Sequence, residues 1–216
     1  DQLKRPVIIY IGGAPGTGKS MLATSLATLL GINKVISTDS IREIMRLAFS
    51  NDLLPTLFHS TTEAWKGLPM EFQSSEQLIA GYCLQANQVS LGVRAVVERT
   101  VEEGENLIVE GAHLVPFLHE IAKKEMVDAY HIPITLSIMN EKHHRERFSE
   151  RGTKNLRKIE NFYLERFDGL RSIHEYTLTQ CEADEVEVFD NEDLDETLNL
   201  IIQFSIQRLF KQVNSE

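Results

Sequence analysis

Residues 13–20 read GAPGTGKS and fit the pattern G-x-x-x-x-G-K-S of a phosphate-binding loop (P-loop). The segment follows the apolar run 7–11 and precedes a helical pattern, which is the strand–loop–helix context that the motif requires. In that context, backbone N–H groups point at phosphate oxygens and the following helix adds the positive end of its dipole. An ordinary glycine-rich turn would match these identities and this context only by chance. The motif therefore predicts binding of a nucleoside triphosphate.

Each part of this loop has a predicted task. The residues expected to surround the phosphates are Gly13, Ala14, Pro15, Gly16, Thr17 and Gly18. Lys19 would supply positive charge to the β- and γ-phosphates, and the Ser20 hydroxyl would be a ligand of Mg²⁺. The predicted cofactors are therefore ATP and Mg²⁺.

Composition restricts the class of protein. A chain of 216 residues buries an ample core without disulfides or metals, and we expect a single domain over residues 1–216. Two cysteines, and the absence of an apolar leader or of a long apolar run, favour the cytoplasm. The net charge of −10 argues against a general binder of nucleic acid or anionic membranes, so any small anionic substrate must meet a local cluster of Lys and Arg. The first residue is Asp1 rather than Met, as in a processed product or a piece of a longer protein.

Strand-like and helix-like patterns alternate along the chain, which predicts an α/β fold with a five-stranded parallel sheet covered by helices on both faces. The predicted strands cover residues 7–11, 35–38, 107–109, 134–139 and 186–189. Helices are predicted at 19–30, from Asp39 onward, at 75–103 and at 194–211, with Gly31 as a C-cap and Asp193 as an N-cap. Residues 51–73 are interrupted by Pro and Gly and are predicted to be loop-like, within an acceptor-side lobe of about 40–75.

Two acidic residues stand where ligands gather in open α/β sheets, beyond the carboxyl ends of strands. Asp39 follows the second strand and could orient or deprotonate an acceptor hydroxyl, while Glu110 follows the third and could hold the water shell of the metal. Two alternatives stay open: Asp39 as a helix N-cap, and Glu110 as a strand-end charge paired with an arginine. Arg42, one helical turn after Asp39, could bind an anionic acceptor through a bidentate pair or be an exposed surface arginine. Thr38 and Arg42 are also counted among the residues that bind the nucleotide.

Most of the remaining histidines and basic residues are expected to have structural or solvent-exposed roles. His113 follows Gly-Ala, which permits close approach, but a lone histidine usually has a structural role. His59, His143 and His144 lack the spacing of metal ligands, so no zinc site is predicted. Lys and Arg are concentrated between residues 142 and 171, mostly as a solvated helix face, with two or three arginines expected to do more.

Five stretches together resemble the archaeal-type 2-phosphoglycerate kinase family. They are IYIGG at 9–13, ISTDSIRE at 36–43, STTEAW at 60–65, VEGAHLVP at 109–116 and RFSER at 147–151. The resemblance implies transfer of the ATP γ-phosphoryl group to the free hydroxyl of 2-phosphoglycerate, giving 2,3-bisphosphoglycerate. It also implies a P-loop kinase fold like that of adenylate and shikimate kinases, with a lid at about 142–175 after strand four. Arg147 and Arg151 would be the phosphate-facing catalytic residues of that lid. Members of this family can carry an additional N-terminal domain, which these 216 residues do not include.

Two other functions remain open on sequence grounds. A kinase of the same fold that acts on a nucleotide sugar, an inositol phosphate or an antibiotic would keep the P-loop and Asp39 but change the partners of Arg42. A nucleotide-controlled binding module would hydrolyse ATP slowly and use residues 51–73 as a switch. Acceptor-dependent release of ADP separates these classes, because the module shows none.

Overall fold

The computed structural model describes residues 3–69, 74–121, 128–150 and 163–214. In these ranges, parallel strands form one five-stranded sheet in the order β2-β3-β1-β4-β5. The strands are β1 (Val7–Gly12), β2 (Lys34–Ser37), β3 (Leu107–Glu110), β4 (Tyr130–Ser137) and β5 (Glu187–Asp190). β1, β3 and β4 are buried along their whole length, as expected for apolar strands covered on both faces. The predicted fold class is confirmed.

Helices lie on both faces of this sheet. They are α1 (Lys19–Leu30), α2 (Thr38–Ala48), α3 (Ser74–Glu102), α4 (Leu118–Ile121), α5 (Glu141–Glu150), α6 (Phe167–Ala183) and α7 (Leu194–Asn214). Because successive side chains of a strand point to opposite faces, Ile9 packs with Leu22 of α1 and Ile201 of α7, whereas Tyr10 packs in the core that holds Val93 of α3. Within the described ranges, no helix is both long enough and apolar enough to cross a bilayer.

Several helix ends lie where local sequence placed them. α1 has the predicted bounds, and Gly31 after it adopts the left-handed conformation with φ +66° while its N–H bonds to Ala27 O. At the start of α7 the Glu196 N–H donates to Asp193 Oδ1 over 2.8 Å, which is an N-cap bond. These ends depend on one or two residues each, so the sequence alone could predict them.

The prediction of a loop over 51–73 was incomplete. This segment contains two 3-10 helices, Pro55–Phe58 and Thr61–Gly67, which we call, with the residues between them, lobe 55–67. Pro55 stands at the first turn, where its fixed φ favours helical geometry. Leu57 and Ala64 are buried, so packing against the core stabilises turns that have no regular apolar period.

The predicted start of β4 at residue 134 was wrong, since the strand begins at Tyr130. The strand contains Pro133, and a proline has no N–H to donate to a neighbouring strand. The Tyr130 N–H points at β1, where it donates to Pro6 O, and the His131 N–H points the other way and donates to Gln212 Oε1. Because backbone N–H directions alternate along a strand, the backbone nitrogen of Pro133 points toward the β5 side. β5 pairs with β4 only from Ile134 onward. The missing N–H costs no ladder hydrogen bond.

Candidate active site

A cleft of about 340 Å³ opens at the carboxyl ends of β1, β2 and β3. Its lining residues are Pro15, Gly16, Gly18, Lys19, Ser20, Ser37, Asp39, Arg42, Ser60, Thr61, Thr62, Glu110, Ala112 and Tyr163. Three strands and lobe 55–67 therefore converge on one space. Eight of the predicted site residues that the structure describes line it, and Gly13, Ala14, Thr17, Thr38 and Arg147 do not.

The P-loop backbone has a conformation that only glycine adopts readily. Gly13 has φ +136°, and a Cβ there would overlap the carbonyl oxygen of Leu136. Gly16 has φ +87°, and a Cβ there would overlap the ring of Phe148. The Lys19 ammonium stays at the loop and donates to Ala14 O over 2.8 Å. The loop thus has the close backbone approach and the fixed cation that a phosphate group requires.

Ser20 and Glu110 meet at the floor of the cleft. The Ser20 hydroxyl donates to Glu110 Oε1 over 3.0 Å, and the carboxylate is buried. In the described part of the chain Glu110 forms no ion pair with an arginine, which removes one alternative for it. A hydroxyl and a carboxylate are the oxygen donors that Mg²⁺ prefers, so this pair fits that ion.

Asp39 lies in the first turn of α2 but does not cap the helix. Ser37 is the N-cap, because its hydroxyl oxygen accepts from the Ser40 N–H over 3.1 Å. The Asp39 side chain is 68% exposed at the wall of the cleft, and its Oδ1 lies 3.7 Å from Arg42 Nε. The geometry therefore leaves the Asp39 carboxylate available to a molecule in the cleft.

Arg42 is not an exposed surface arginine, since its side chain is only 15% exposed. Nη1 donates to the carbonyls of Leu57 at 2.8 Å and His59 at 3.2 Å, and Nη2 donates to Glu43 Oε1 at 2.7 Å. Nε is buried and has no hydrogen-bond partner among the described residues. The expected bidentate fork is thus largely used to attach α2 to lobe 55–67, a role that the sequence did not indicate.

Thr38 lies under the cleft rather than in its wall. It is fully buried, and its hydroxyl lies 2.8 Å from His113 Nδ1. The second ring nitrogen of His113 lies 3.1 Å from Gln85 Oε1. Burial lowers the pKa of His113 to about 4, against the charge of Asp39 and aided by that of Arg42. His113 is therefore neutral at physiological pH.

A second cleft of about 470 Å³ lies on the other side of the P-loop. Its lining residues are Gly16, Gly18, Met21, His143, Arg147, Asn191, Glu192, Asp193 and Leu194. Arg147 donates to the carbonyls of Asn191 and Glu192, so the structure places it here and not beside Asp39. The Asn191 amide donates to Thr17 O over 2.8 Å, which attaches the P-loop to the segment after β5. Arg151 lies outside the described residues.

The inner face of α5 supports the P-loop from below. His144 is buried and lies 2.9 Å from Pro15 O through Nε2, and Phe148 packs beside it with its ring centroid at 5.5 Å. Burial lowers the pKa of His144 to about 4 although the bond to Pro15 opposes this. The charged residues Lys142 and Glu146 are exposed, in agreement with the predicted solvated face, whereas the burial of His144 and Phe148 was not predicted. In the described ranges, no three His, Cys, Asp or Glu side chains group as they would around a metal ion.

Comparison with known proteins agrees with this geometry. Residues 9–168 match the family model described as an AAA domain (AAA_18). The 2-phosphoglycerate kinase of Methanocaldococcus jannaschii is 37% identical over 213 residues, which are 99% of this chain and 67% of that protein. The chain belongs to the 2-phosphoglycerate kinase family. Other members that it resembles come from Methanopyrus kandleri (36% identity, 96% of this chain and 63% of that protein) and Pyrococcus furiosus (39%, 94% and 65%).

The chain spans about two thirds of the length of the 2-phosphoglycerate kinases that it matches, from 63% to 67% for these three. Solved structures with the same fold include a gluconokinase from Sinorhizobium meliloti, with a TM-score of 0.54 and 14% identity over 97% of this chain and 99% of that chain. A shikimate kinase from Acinetobacter baumannii in complex with shikimate has a TM-score of 0.52 and 14% identity, covering 94% of each chain. These two similarities show the fold, and the family follows from the closer sequence matches.

Proposed function

We propose that this chain transfers the γ-phosphoryl group of ATP to the free hydroxyl of 2-phosphoglycerate, giving ADP and 2,3-bisphosphoglycerate. The observation that carries the proposal is the single cleft in which Lys19, the Ser20–Glu110 pair and Asp39 surround one space. Its relatives at 36–39% identity over nearly the whole chain carry the name of that activity. The identity of the acceptor is inferred from those relatives alone, whereas phosphoryl transfer is inferred from the relatives and from the residues of the cleft.

The nucleotide is bound by the P-loop in this proposal. The backbone N–H groups and Lys19 hold its phosphates, and Lys19 exchanges its bond to Ala14 O for a phosphate oxygen. The second cleft, beside Arg147 and Asn191, lies next to the same loop and takes the base and ribose. Ser20 and Glu110 would hold Mg²⁺, which when bound neutralises charge on the phosphates.

The acceptor occupies the side of the cleft formed by Asp39, Arg42 and residues 60–62. Asp39 accepts the proton of the acceptor hydroxyl as the hydroxyl oxygen bonds to the γ-phosphorus, and the bond from that phosphorus to the β–γ bridging oxygen breaks. ADP takes the electrons of the broken bond, and the proton leaves Asp39 for solvent. Hydroxyls of Ser60, Thr61 and Thr62, with the Arg42 Nε, supply donors to the phosphate and carboxylate of the acceptor.

The enzyme acts on a free metabolite in the cytoplasm in this proposal. Cys83 and Cys181 are both free thiols, as is usual in a reducing compartment. The net charge of −10 disfavours nucleic acid and anionic membranes as partners, and an anionic substrate needs positive charge only at the site itself.

Release of ADP at fixed Mg-ATP tests the proposal when 2-phosphoglycerate, 3-phosphoglycerate and glycerate are compared as acceptors. We expect 2-phosphoglycerate to give the highest kcat/KM, and glycerate to be poor because it offers no phosphate to the donors of the cleft. Asp39→Asn should abolish most of this release, while Asp195→Asn, at the exposed start of α7, is the matched control. A higher kcat/KM for glycerate or for a sugar phosphate would contradict the assigned acceptor.

A further inference from the structure

A chain of buried hydrogen bonds runs beneath the cleft and ends in lobe 55–67. Thr38 Oγ1 lies 2.8 Å from His113 Nδ1, and His113 Nε2 lies 3.1 Å from Gln85 Oε1. The Gln85 amide nitrogen in turn bonds to the carbonyls of Thr56 at 2.6 Å and His59 at 2.9 Å. Thr38, His113 and Gln85 are all buried, so water does not compete for these groups.

The direction of each bond follows from the chemistry of its groups. The Gln85 nitrogen donates to two carbonyls, which can only accept, so Gln85 Oε1 is left as an acceptor. His113 must therefore carry its proton on Nε2 and donate to Gln85. A neutral ring then accepts at Nδ1, and the Thr38 hydroxyl donates to it. The pKa of His113, which burial lowers to about 4, keeps the ring in this neutral form.

The two ends of this chain reach opposite walls of the acceptor side of the cleft. Thr38 directly precedes Asp39 in the first turn of α2. At the other end, the carbonyl of His59 directly precedes Ser60, which lines the cleft together with Thr61 and Thr62. The same carbonyl accepts from Arg42 Nη1, so α2 is attached to lobe 55–67 by two routes. His113 joins the two ends through its bonds to Thr38 and Gln85, and it is not among the residues that line the cleft.

We propose that His113 is a positioning residue that sets the separation between Asp39 and the acceptor wall at residues 60–62, through Thr38 on one side and Gln85 on the other. It contacts no substrate. The effect on acceptor binding rests on the proposed function, but the placement of lobe 55–67 does not. A core histidine that only filled space would contribute to stability without setting the position of this lobe.

Three substitutions of His113 separate the two halves of the chain of bonds. His113→Phe keeps a ring but removes both hydrogen bonds. His113→Gln places an amide nitrogen near the former Nε2 and keeps the bond to Gln85, whereas His113→Asn places an oxygen near the former Nδ1 and keeps the bond to Thr38. His131→Gln is the matched control, because His131 is equally buried and hydrogen-bonded, to Tyr10, at the other end of the sheet.

Trp65 reports on the lobe independently of activity. It is the single tryptophan of the chain, lies in the 3-10 helix Thr61–Gly67 and is 36% exposed. We expect acrylamide to quench its fluorescence more strongly in His113→Phe and His113→Asn than in the unaltered protein. His113→Gln and His131→Gln should be quenched like the unaltered protein. Equal quenching in all four variants would overturn the proposal.

Kinetics give the second measurement. In His113→Phe the acceptor KM, measured with 2-phosphoglycerate, should rise about tenfold or more, because an acceptor site with a displaced wall loses hydrogen bonds to the substrate. The dissociation constant of ATP should stay within about twofold, as the P-loop is not part of the chain of bonds, and His113→Gln should restore most of the acceptor KM. Equal weakening of ATP and acceptor would overturn the proposal.

Failure to fold would not leave the proposal undecided. If His113→Phe does not give a cooperative thermal transition, Gln85→Leu cuts the same chain of bonds one residue later and should give the same Trp65 quenching. Unaltered quenching in folded Gln85→Leu would overturn the proposal. If the unaltered protein does not phosphorylate 2-phosphoglycerate, the proposed function fails, while the Trp65 result still decides the role of His113.

Discussion

Lowering the pH from about 7.5 to about 5.5 is expected to destabilise the folded protein through His113, His144 and His174. All three are buried, and burial lowers the pKa of each to about 4. The nearby guanidinium of Arg171 lowers the pKa of His144 and of His174 further, since a positive charge disfavours a second one. The folded protein therefore keeps these rings neutral where an exposed histidine would already be charged.

The sign and size of the effect follow from proton linkage. Histidines of the unfolded chain titrate near pH 6.5, so between about pH 6.5 and pH 4 the unfolded state binds more protons than the folded state. The free energy of unfolding then falls as the pH falls. A pKa of about 4 in the folded state gives on the order of 1 kcal/mol per histidine between pH 7.5 and 5.5. The sum of roughly 3–4 kcal/mol is a large part of the roughly 5–15 kcal/mol that stabilises a domain.

Urea unfolding followed by circular dichroism at several pH values measures this directly. Each single change, His113→Gln, His144→Gln or His174→Gln, should remove about a third of the pH dependence. Ser172→Ala changes an exposed, non-titrating residue two positions before His174 and should leave the pH dependence as it is. A free energy of unfolding that changes by less than about 1 kcal/mol over this range would mean that the three buried rings are not held neutral in the folded protein.

Three substitutions test the proposed roles in the cleft. Lys19→Ala should lower kcat, because it removes about 3 kcal/mol of transition-state stabilisation. The melting temperature should shift little, because the ammonium lies at the phosphate-binding loop. An unchanged kcat would contradict this role of Lys19. Asp39→Asn should spare nucleotide binding, measured by titration, and depress kcat, because an amide cannot take the proton; wild-type values of both would contradict the catalytic role. Arg42→Lys should raise the acceptor KM far more than the ATP KM. Lysine keeps the positive charge, but its single ammonium cannot replace the planar guanidinium, which bonds to two carbonyls of lobe 55–67 and to the Glu43 carboxylate at the same time. Equal rises in both KM values would argue against Arg42 acting on the acceptor side.

Much of the fold was predictable because its determinants are local. The P-loop fixed the order strand, loop and helix, and Gly31 and Asp193 marked helix ends through their own backbone and side-chain geometry. The start of β4 was not predictable in this way. Whether Pro133 is tolerated depends on which side of β4 lacks a partner, and that is decided by β5, more than fifty residues later.

The same distinction between local and long-range determinants applies to the site. Asp39 and Glu110 could be predicted because strand ends in a parallel sheet share one edge. The partners of Arg42, the buried Gln85 and the bond from Asn191 to Thr17 across 174 positions could not be predicted, because they depend on contacts between distant segments. In α5, the charges indicated the solvated face, but the burial of His144 under the P-loop could not be predicted, because it depends on a contact with Pro15, 129 positions earlier.

Phosphorus NMR of a reaction with equal amounts of Mg-ATP and 2-phosphoglycerate follows the transferred group itself. We expect the γ-phosphate resonance of ATP to be replaced by a second phosphomonoester resonance on the acceptor, in equal amount to the ADP formed. The same mixture with Asp39→Asn should show little change over the same time. Formation of ADP with inorganic phosphate alone, at a rate that does not depend on 2-phosphoglycerate, would contradict the claim that this cleft transfers phosphoryl groups to that acceptor.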